Sequence, residues 1–360
     1  MNWSKKLHKI FTKEEPLKLI GKLKAEFHLY EIEGESVISS INHNNRENAY
    51  VVSPYSLIVN YSKDELFKID SKVQRTFFSL LIKLFGYFLK ISQIDRVQTL
   101  NNLMLSTNFF SKAWESFELK ELEKKALFAY PKHLLLLRSV NQTQNPKLFK
   151  KLREDGWIGV VVRQVYLFKS RERWERKRDS KKDKKLQDDK RFSFEKVERR
   201  REYDFERMRE LYNMVYLKKH SEHNLHYQVR FFEKMVEEEL FELYILRESA
   251  SNSMVGVIAF TLNEELQTIP LLGYDTSYPQ KDALYRRLMY FGIDHAFEKN
   301  LLLNISSGAS SFKMSRGAEP ELEYMFVKAD HLPLYRRVVW RLLSYLSEKF
   351  YAPMLIQSKL

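Results

Sequence analysis

The chain has 360 residues, a formal net charge of +14 and 44% hydrophobic residues, enough for two domains that each bury a core. It contains no cysteine, which excludes disulfides, a thiolate metal site and a cysteine nucleophile. No stretch approaches the roughly 18 consecutive apolar residues that cross a bilayer, and the N-terminal stretch is too charged for a secretory signal, so we expect a cytoplasmic protein without a transmembrane segment.

In the N-terminal half, Ala49 to Tyr61 reads as two strand-like pieces broken at Pro54, and Ser71 to Leu89 as a long helix with an apolar face. Arg96 to Leu100 is a candidate strand that runs into the polar turn Asn101-Asn102. After a helix around Leu119 to Phe128, the strand Leu134 to Arg138 leads into the polar loop Ser139 to Asn145. Pro146 starts a helix that ends near Gly156, and Ile158 to Leu167 is a further strand. Arg163 and Gln164 interrupt that apolar strand, and an arginine there needs a substrate or a carboxylate between the domains as its partner.

Between Lys169 and Glu202 there are sixteen Lys or Arg against nine Asp or Glu, so this segment supplies half of the net charge. It is either a solvated connector or a platform for phosphates, with Trp174 placed to stack on a base. Glu202 to Glu239 reads as two helices. His220, His223 and His226 recur at three-residue spacing there, which invites a metal. Ser221 and Asn224 break the helix, however, and no carboxylate-histidine motif accompanies them. We expect no metal site, and a polar turn at the domain interface instead.

The C-terminal half is the most legible. Met254 to Thr261, the run from Thr268, and Leu301 to Ile305 have the composition of buried strands. Asp282 to Lys299 reads as a helix, with Leu284, Leu288 and Phe291 as its buried stripe and Asp282 as its cap. Strand, crossover helix and strand imply neighbours in one mixed sheet, with ligands beyond the carboxyl ends of the strands. Tyr274, Asp275 and Thr276 fall there, as do Asn304 and Ser306. Lys313 and Arg316 follow in the next turn. From Pro333 to Lys349 a last helix carries Leu334, Val338, Leu342 and Tyr345 on one stripe, which we assign to core or interface packing.

Gly273 followed by polar residues, a helix, a strand ending in a small-residue loop, and Phe312-Lys313 ahead of Gly317 together resemble the C-terminal half of a GNAT-fold acyltransferase of the Fem-like branch, the peptidoglycan-bridge peptidyltransferase-like proteins. The resemblance covers about a quarter of the chain. It implies an α/β fold of tandem GNAT-like domains, each a mixed central sheet flanked by helices. On that basis residues 1–168 form an N-terminal GNAT-like domain, 169–239 a basic helical connector and 240–360 a C-terminal GNAT-like domain. It also implies acyl or aminoacyl transfer to an amine acceptor, with Lys313 at the reaction centre. The glycine-rich loop that cradles a CoA pyrophosphate in many GNAT enzymes is reduced here to Gly273, so the co-substrate is acyl-CoA, acyl carrier protein or aminoacyl-tRNA. A tRNA or a carrier protein is the candidate partner of the basic connector.

Acyl transfer needs a base and hydrogen-bond donors for the developing oxyanion. Asp275 is the candidate base, with Tyr274 as the alternative acid or base, and Lys313 suits the oxyanion or a donor phosphate. Thr276, Asn304 and Ser306 are candidates to orient substrate, as are Arg163 and Gln164. Arg286 and Arg316 are candidates to hold a carboxylate or phosphate, and Glu323 to act as an acid or base. Against these stand bland roles: Asp275 capping its turn, and Asn304 satisfying backbone groups. The competing readings of the whole chain are a non-catalytic GNAT-like RNA-binding protein and an interaction scaffold.

Overall fold

The computed structural model describes residues 3–60, 71–199, 202–216 and 224–357. Helix α1 (Trp3–Lys13) precedes a hairpin of β1 (Glu26–Ile32) and β2 (Glu35–His43). Its turn holds Glu33 at φ 50° and Gly34 at φ 86°, the positive angles of a tight hairpin turn. Then come α2 (Lys72–Ile91), β3 (Arg96–Leu100), α3 (Leu119–Ala129), β4 (Leu134–Val140), α4 (Pro146–Glu154) and β5 (Ile158–Phe168). The basic segment forms α5 (Arg171–Arg176), α6 (Arg178–Gln187) and β6 (Phe192–Lys196), and α7 (Phe205–Tyr216) and α8 (Val229–Glu237) follow. The C-terminal half continues with β7 (Glu242–Glu248), β8 (Met254–Leu262), β9 (Leu266–Tyr274), α9 (Leu284–Glu298) and β10 (Leu302–Asn304), then α10 (Ser310–Ser315), β11 (Glu319–Lys328) and α11 (Leu334–Leu346).

These strands make one sheet in the order β1-β2-β3-β4-β11-β5-β10-β9-β8-β7-β6. The pairs β3–β4 and β9–β10 are parallel and the other neighbouring pairs are antiparallel. The order β3-α3-β4-α4-β5 therefore recurs as β9-α9-β10-α10-β11. Each half is completed by the last strand of the other, because β11 lies beside β4 and β5 beside β10. The sequence divisions after residues 168 and 239 thus fall between strands that share a single sheet.

Both faces of the sheet are covered, which explains strands that read as continuous apolar runs. In β4, Leu135 and Leu137 pack with α3 and α4, whereas Leu134 and Leu136 pack with residues of α2 and α11. In β8, Val257 and Ala259 join α1, α7 and α8, and Ile258 and Phe260 join α9.

Four expectations are corrected. Residues 54–60 are helical, not extended, because buried Asp95 accepts hydrogen bonds from Ser53 Oγ and Tyr55 N, both at 2.9 Å, and caps the turn. The basic segment is not wholly helical, since β6 pairs with β7 at the sheet edge. Trp174 is buried against Tyr290 and Phe297 and offers no face to a base. Asp282 does not cap α9: the helix starts at Leu284 after Ala283 at φ 53°, and Asp282 pairs with Arg191 at 3.1 Å.

Gly273 has a packing reason. A Cβ on it would lie 2.5 Å from Tyr212 N and 2.6 Å from Leu211 C, so α7 rests its backbone directly on the end of β9. Overpacking of this kind costs typically 1–3 kcal/mol. Gly273→Ala should therefore lower the stability measured by urea unfolding by about that amount. An unchanged midpoint would mean that α7 does not sit on β9.

Candidate functional site

The residues singled out from the sequence separate into three groups. In register, Thr268 of β9 pairs with Asn304 of β10, so Tyr274 lies six residues further along its strand, about 20 Å at the usual rise. Tyr274 and Asp275 consequently do not meet Asn304. Beyond that pair, Tyr274 lies 6.0 Å from Tyr285 and Tyr285 4.9 Å from Phe312, a row of aromatic rings that joins the end of β9 to α9 and α10.

At the far end, Asp275 accepts hydrogen bonds from Arg207 Nη2 at 2.5 Å and from Ser277 N at 2.9 Å and Ser277 Oγ at 2.5 Å. Desolvation raises its pKa, but the Ser277 hydrogen bonds and Arg207 outweigh it, and the carboxyl ends below 3.8. A carboxylate so held is a weak base, and its visible work is to tie α7 to the β9–α9 turn. Thr276 is exposed beside it. Four amides of the turn are bonded within it: Ser277 N on Asp275 Oδ1, Tyr278 N on Asp275 O, Asp282 N on Pro279 O and Ala283 N on Gln280 O.

The second group is structural. Arg286 and Arg316, expected to hold a substrate anion, both grip the buried Asp183 of α6, at 2.6 Å and 2.5 Å. Arg316 also stacks over Phe312, 3.5 Å from the ring centroid. These contacts clamp the basic segment onto the C-terminal half. Outward from the clamp, Lys177, Arg178, Lys181, Lys184 and Lys185 make no ion pair among the described residues.

The third group meets at the seam of the two halves. Lys313 is 4% exposed. Its Nζ donates to the carbonyls of Ile305 (2.8 Å), Ser306 (3.0 Å) and Ser307 (2.8 Å) and lies 5.2 Å from the centroid of Tyr166. It has no carboxylate partner among the described residues, and burial, then the charge of Arg163, pull its pKa well below 10.5. Asn304 Nδ2 donates to Gln144 Oε1 at 2.8 Å, and its Oδ1 accepts from Ser306 N at 2.8 Å. This links the polar loops after β4 and β10. Ser306, at φ 60°, turns its carbonyl toward Lys313. Tyr166 Oη donates to Gln164 Oε1 at 2.9 Å.

Strand alternation puts Arg163 on the other face from Gln164. Its Nε meets Glu323 Oε1 across β5 and β11 at 2.7 Å, and its Nη2 donates to Ser106 O at 2.8 Å. Glu323 Oε2 is buried without a hydrogen-bond partner among the described residues. Nearby Arg138 of β4 is buried, donates to Asn102 Oδ1 at 3.2 Å and lies 5.8 Å from the Tyr50 ring centroid; desolvation lowers its pKa to about 10. Arg138, Tyr50 and Gln144 escaped the sequence reading. The arginine closing a four-leucine strand was the one available signal. Arg163 and Arg138 share the one buried carboxylate of Glu323 on one face of the sheet, and Lys313 on the other face has none, so the seam holds an excess of positive charge.

His226 lies in a short ladder in which Ile20 and Gly21 pair with Tyr227 and His226. His220 and His223 fall outside the described residues, among which no group of three His, Cys, Asp or Glu could hold a metal.

The depressed pKa of Asp275 has a testable sign. Its contribution to stability is present above the unfolded value near 4 and is lost as pH falls through the lower folded value. Asp275→Asn should be less stable than the parent at pH 7, and the deficit should shrink below about pH 4 in chemical denaturation. A deficit independent of pH would show that the ion pair is not its source.

No protein-family model and no curated protein matches the chain. Among solved structures, the C-terminal domain of a candidate lysylphosphatidylglycerol synthetase from Agrobacterium fabrum is similar with a TM-score of 0.51 at 10% identity, covering 93% of this chain and 90% of that one. FemX gives 0.48 at 10% identity over 61% and 78%. L-PGS from Bacillus licheniformis gives 0.44 at 12% over 64% and 77%. The first of these likenesses spans nearly the whole chain and shows the fold alone: this protein shares the fold of that domain, a mixed sheet flanked by helices.

Proposed function

We propose that the protein is an acyltransferase that moves an aminoacyl group from aminoacyl-tRNA to an amine acceptor. The observation that carries this reading is the buried cationic excess at the seam, above all Lys313 without a carboxylate. A buried charge is costly unless something compensates it, and such groups cluster at functional sites. Attack of the amine nitrogen on the ester carbonyl forms a C–N bond and places negative charge on the carbonyl oxygen. Collapse then breaks the C–O bond to the tRNA ribose, and the proton lost by the amine leaves with the ribose oxygen. Lys313 is the group suited to that oxyanion, on releasing one of its three carbonyls; the exposed Ser307 is the one at the rim. Asn304, Ser306 and Gln164 orient the acyl group, and Arg163 with Glu323 sets the charge behind it. Asp275 and Tyr274 take no part in this scheme.

One feature favours tRNA over an acyl thioester. Lys177 and the outer side of α6 present cations that no ion pair among the described residues neutralises.

The test is transfer of a labelled amino acid from charged tRNA to a small amine, with acyl-CoA and acyl carrier protein as parallel donors. The expected outcome is transfer from tRNA only, reduced about a hundredfold by Lys313→Ala with tRNA affinity retained. Turnover with a thioester would overturn the donor, and tRNA binding without transfer from any donor would overturn the enzyme. For the platform, Lys181→Ala with Lys185→Ala should reduce the slope of log affinity against log salt by roughly 1.5. An unchanged slope would place the RNA elsewhere.

A further inference from the structure

Helices α2 and α11 bury one side on the same face of the sheet, through Leu89 of α2 and Trp340 and Leu343 of α11. Arg336 of α11 binds them together, donating to Ser92 O at 3.1 Å and Gln93 O at 3.3 Å just beyond the end of α2. Their other side is also apolar and is exposed. On α2 it carries Leu80 (66% exposed), Leu84, Tyr87, Phe88 and Ile91. On α11 it carries Leu334 (62% exposed), Tyr335, Val338, Leu342 and Tyr345, continued by Phe350 and Ile356. The stripe assigned from sequence to core or interface packing is thus the outward one.

The charges carried by these two helices and the turn after α11 are nearly all positive. Helix α2 contains Lys72, Arg75, Lys83 and Lys90 and neither Asp nor Glu. Between Leu334 and Gln357, besides the buried Arg336, stand Arg337, Arg341 and Lys349 against the lone acid Glu348, which is paired with Arg153 at 2.6 Å. Among the described residues, no helix is long and apolar enough to cross a membrane. Aromatic and aliphatic side chains ringed by Lys and Arg on surface helices match the chemistry of a bilayer interface with anionic headgroups. A second copy is the poorer occupant, because a two-fold contact sets each patch against itself and so sets cations against cations.

We propose that α2 and α11 form a peripheral docking face for anionic membrane surfaces, with the apolar side chains entering the headgroup boundary and the lysines and arginines meeting lipid phosphates. This docking does not rest on the transfer reaction proposed above.

The experiment is co-sedimentation of the full chain with phosphatidylcholine vesicles, with and without phosphatidylglycerol. Parallel samples carry Leu84→Glu with Phe88→Glu on α2, or Leu342→Glu with Tyr345→Glu on α11. All four positions are exposed, and an unchanged thermal midpoint confirms the fold. The expected result is binding to the anionic vesicles that weakens about tenfold or more in either double variant, falls only partly at high salt, and is untouched by Lys313→Ala. Absence of binding to anionic vesicles, or equal binding by parent and variants, would overturn the proposal. So would a dimer by light scattering that the substitutions convert to monomer, since a second copy would then occupy the face.

Discussion

Because β5 and β11 pair with each other in the middle of the sheet, each half of the chain completes its row of strands only through the last strand of the other. Every other feature of the seam follows from that exchange. It sets Arg163 opposite Glu323, brings the loop after β4 against the loop after β10 so that Gln144 reaches Asn304, and places Tyr166 beneath Lys313. Neither half could present these groups alone. The seam joins residues far apart in the chain, so its assembly needs long-range strand pairing, the slow kind of contact to form.

Electrostatics separates the parts of this molecule that hold it together from the parts available for chemistry. Asp183 with Arg286 and Arg316 is a closed ionic set, and so is Asp275 with Arg207 and Ser277. Breaking a buried set of this sort costs several kcal/mol because a charge is left behind, and neither set has capacity for a ligand. Lys313 differs in kind. Carbonyl dipoles, not a carboxylate, hold its ammonium, and burial works against its charge.

Much of the architecture was legible because its signals are local. Apolar runs bounded by turns announced β4, β8 and β10, and helical spacing announced α2 and α9. What failed was information carried by distant residues. Nothing near Pro54 shows that Asp95, some forty positions on, accepts hydrogen bonds from Ser53 and Tyr55 and winds the segment into a helix. Arg316 and Arg286 looked like anion holders because their partner, Asp183, sits more than a hundred residues earlier amid lysines. The outward stripe of α11 shows a different limit, since both of its faces are apolar and periodicity cannot say which one meets the sheet. The hairpin of β1 and β2 had a signal, the Glu33-Gly34 pair between branched runs, that the reading passed over. Lys313 stood out in the sequence through its place between Phe312 and Gly317; its carbonyl cage, built from the 305–307 loop, was not foreseeable.

The most direct test of the account is a crystal structure of the chain bound to a non-hydrolysable aminoacyl-adenosine. The account predicts the acyl oxygen within hydrogen-bond distance of Lys313 Nζ, with the 305–307 loop opened by the loss of one carbonyl contact. An acyl group bound instead at the end of β9, beside Asp275 and Arg207, with the Lys313 cage intact, would contradict it.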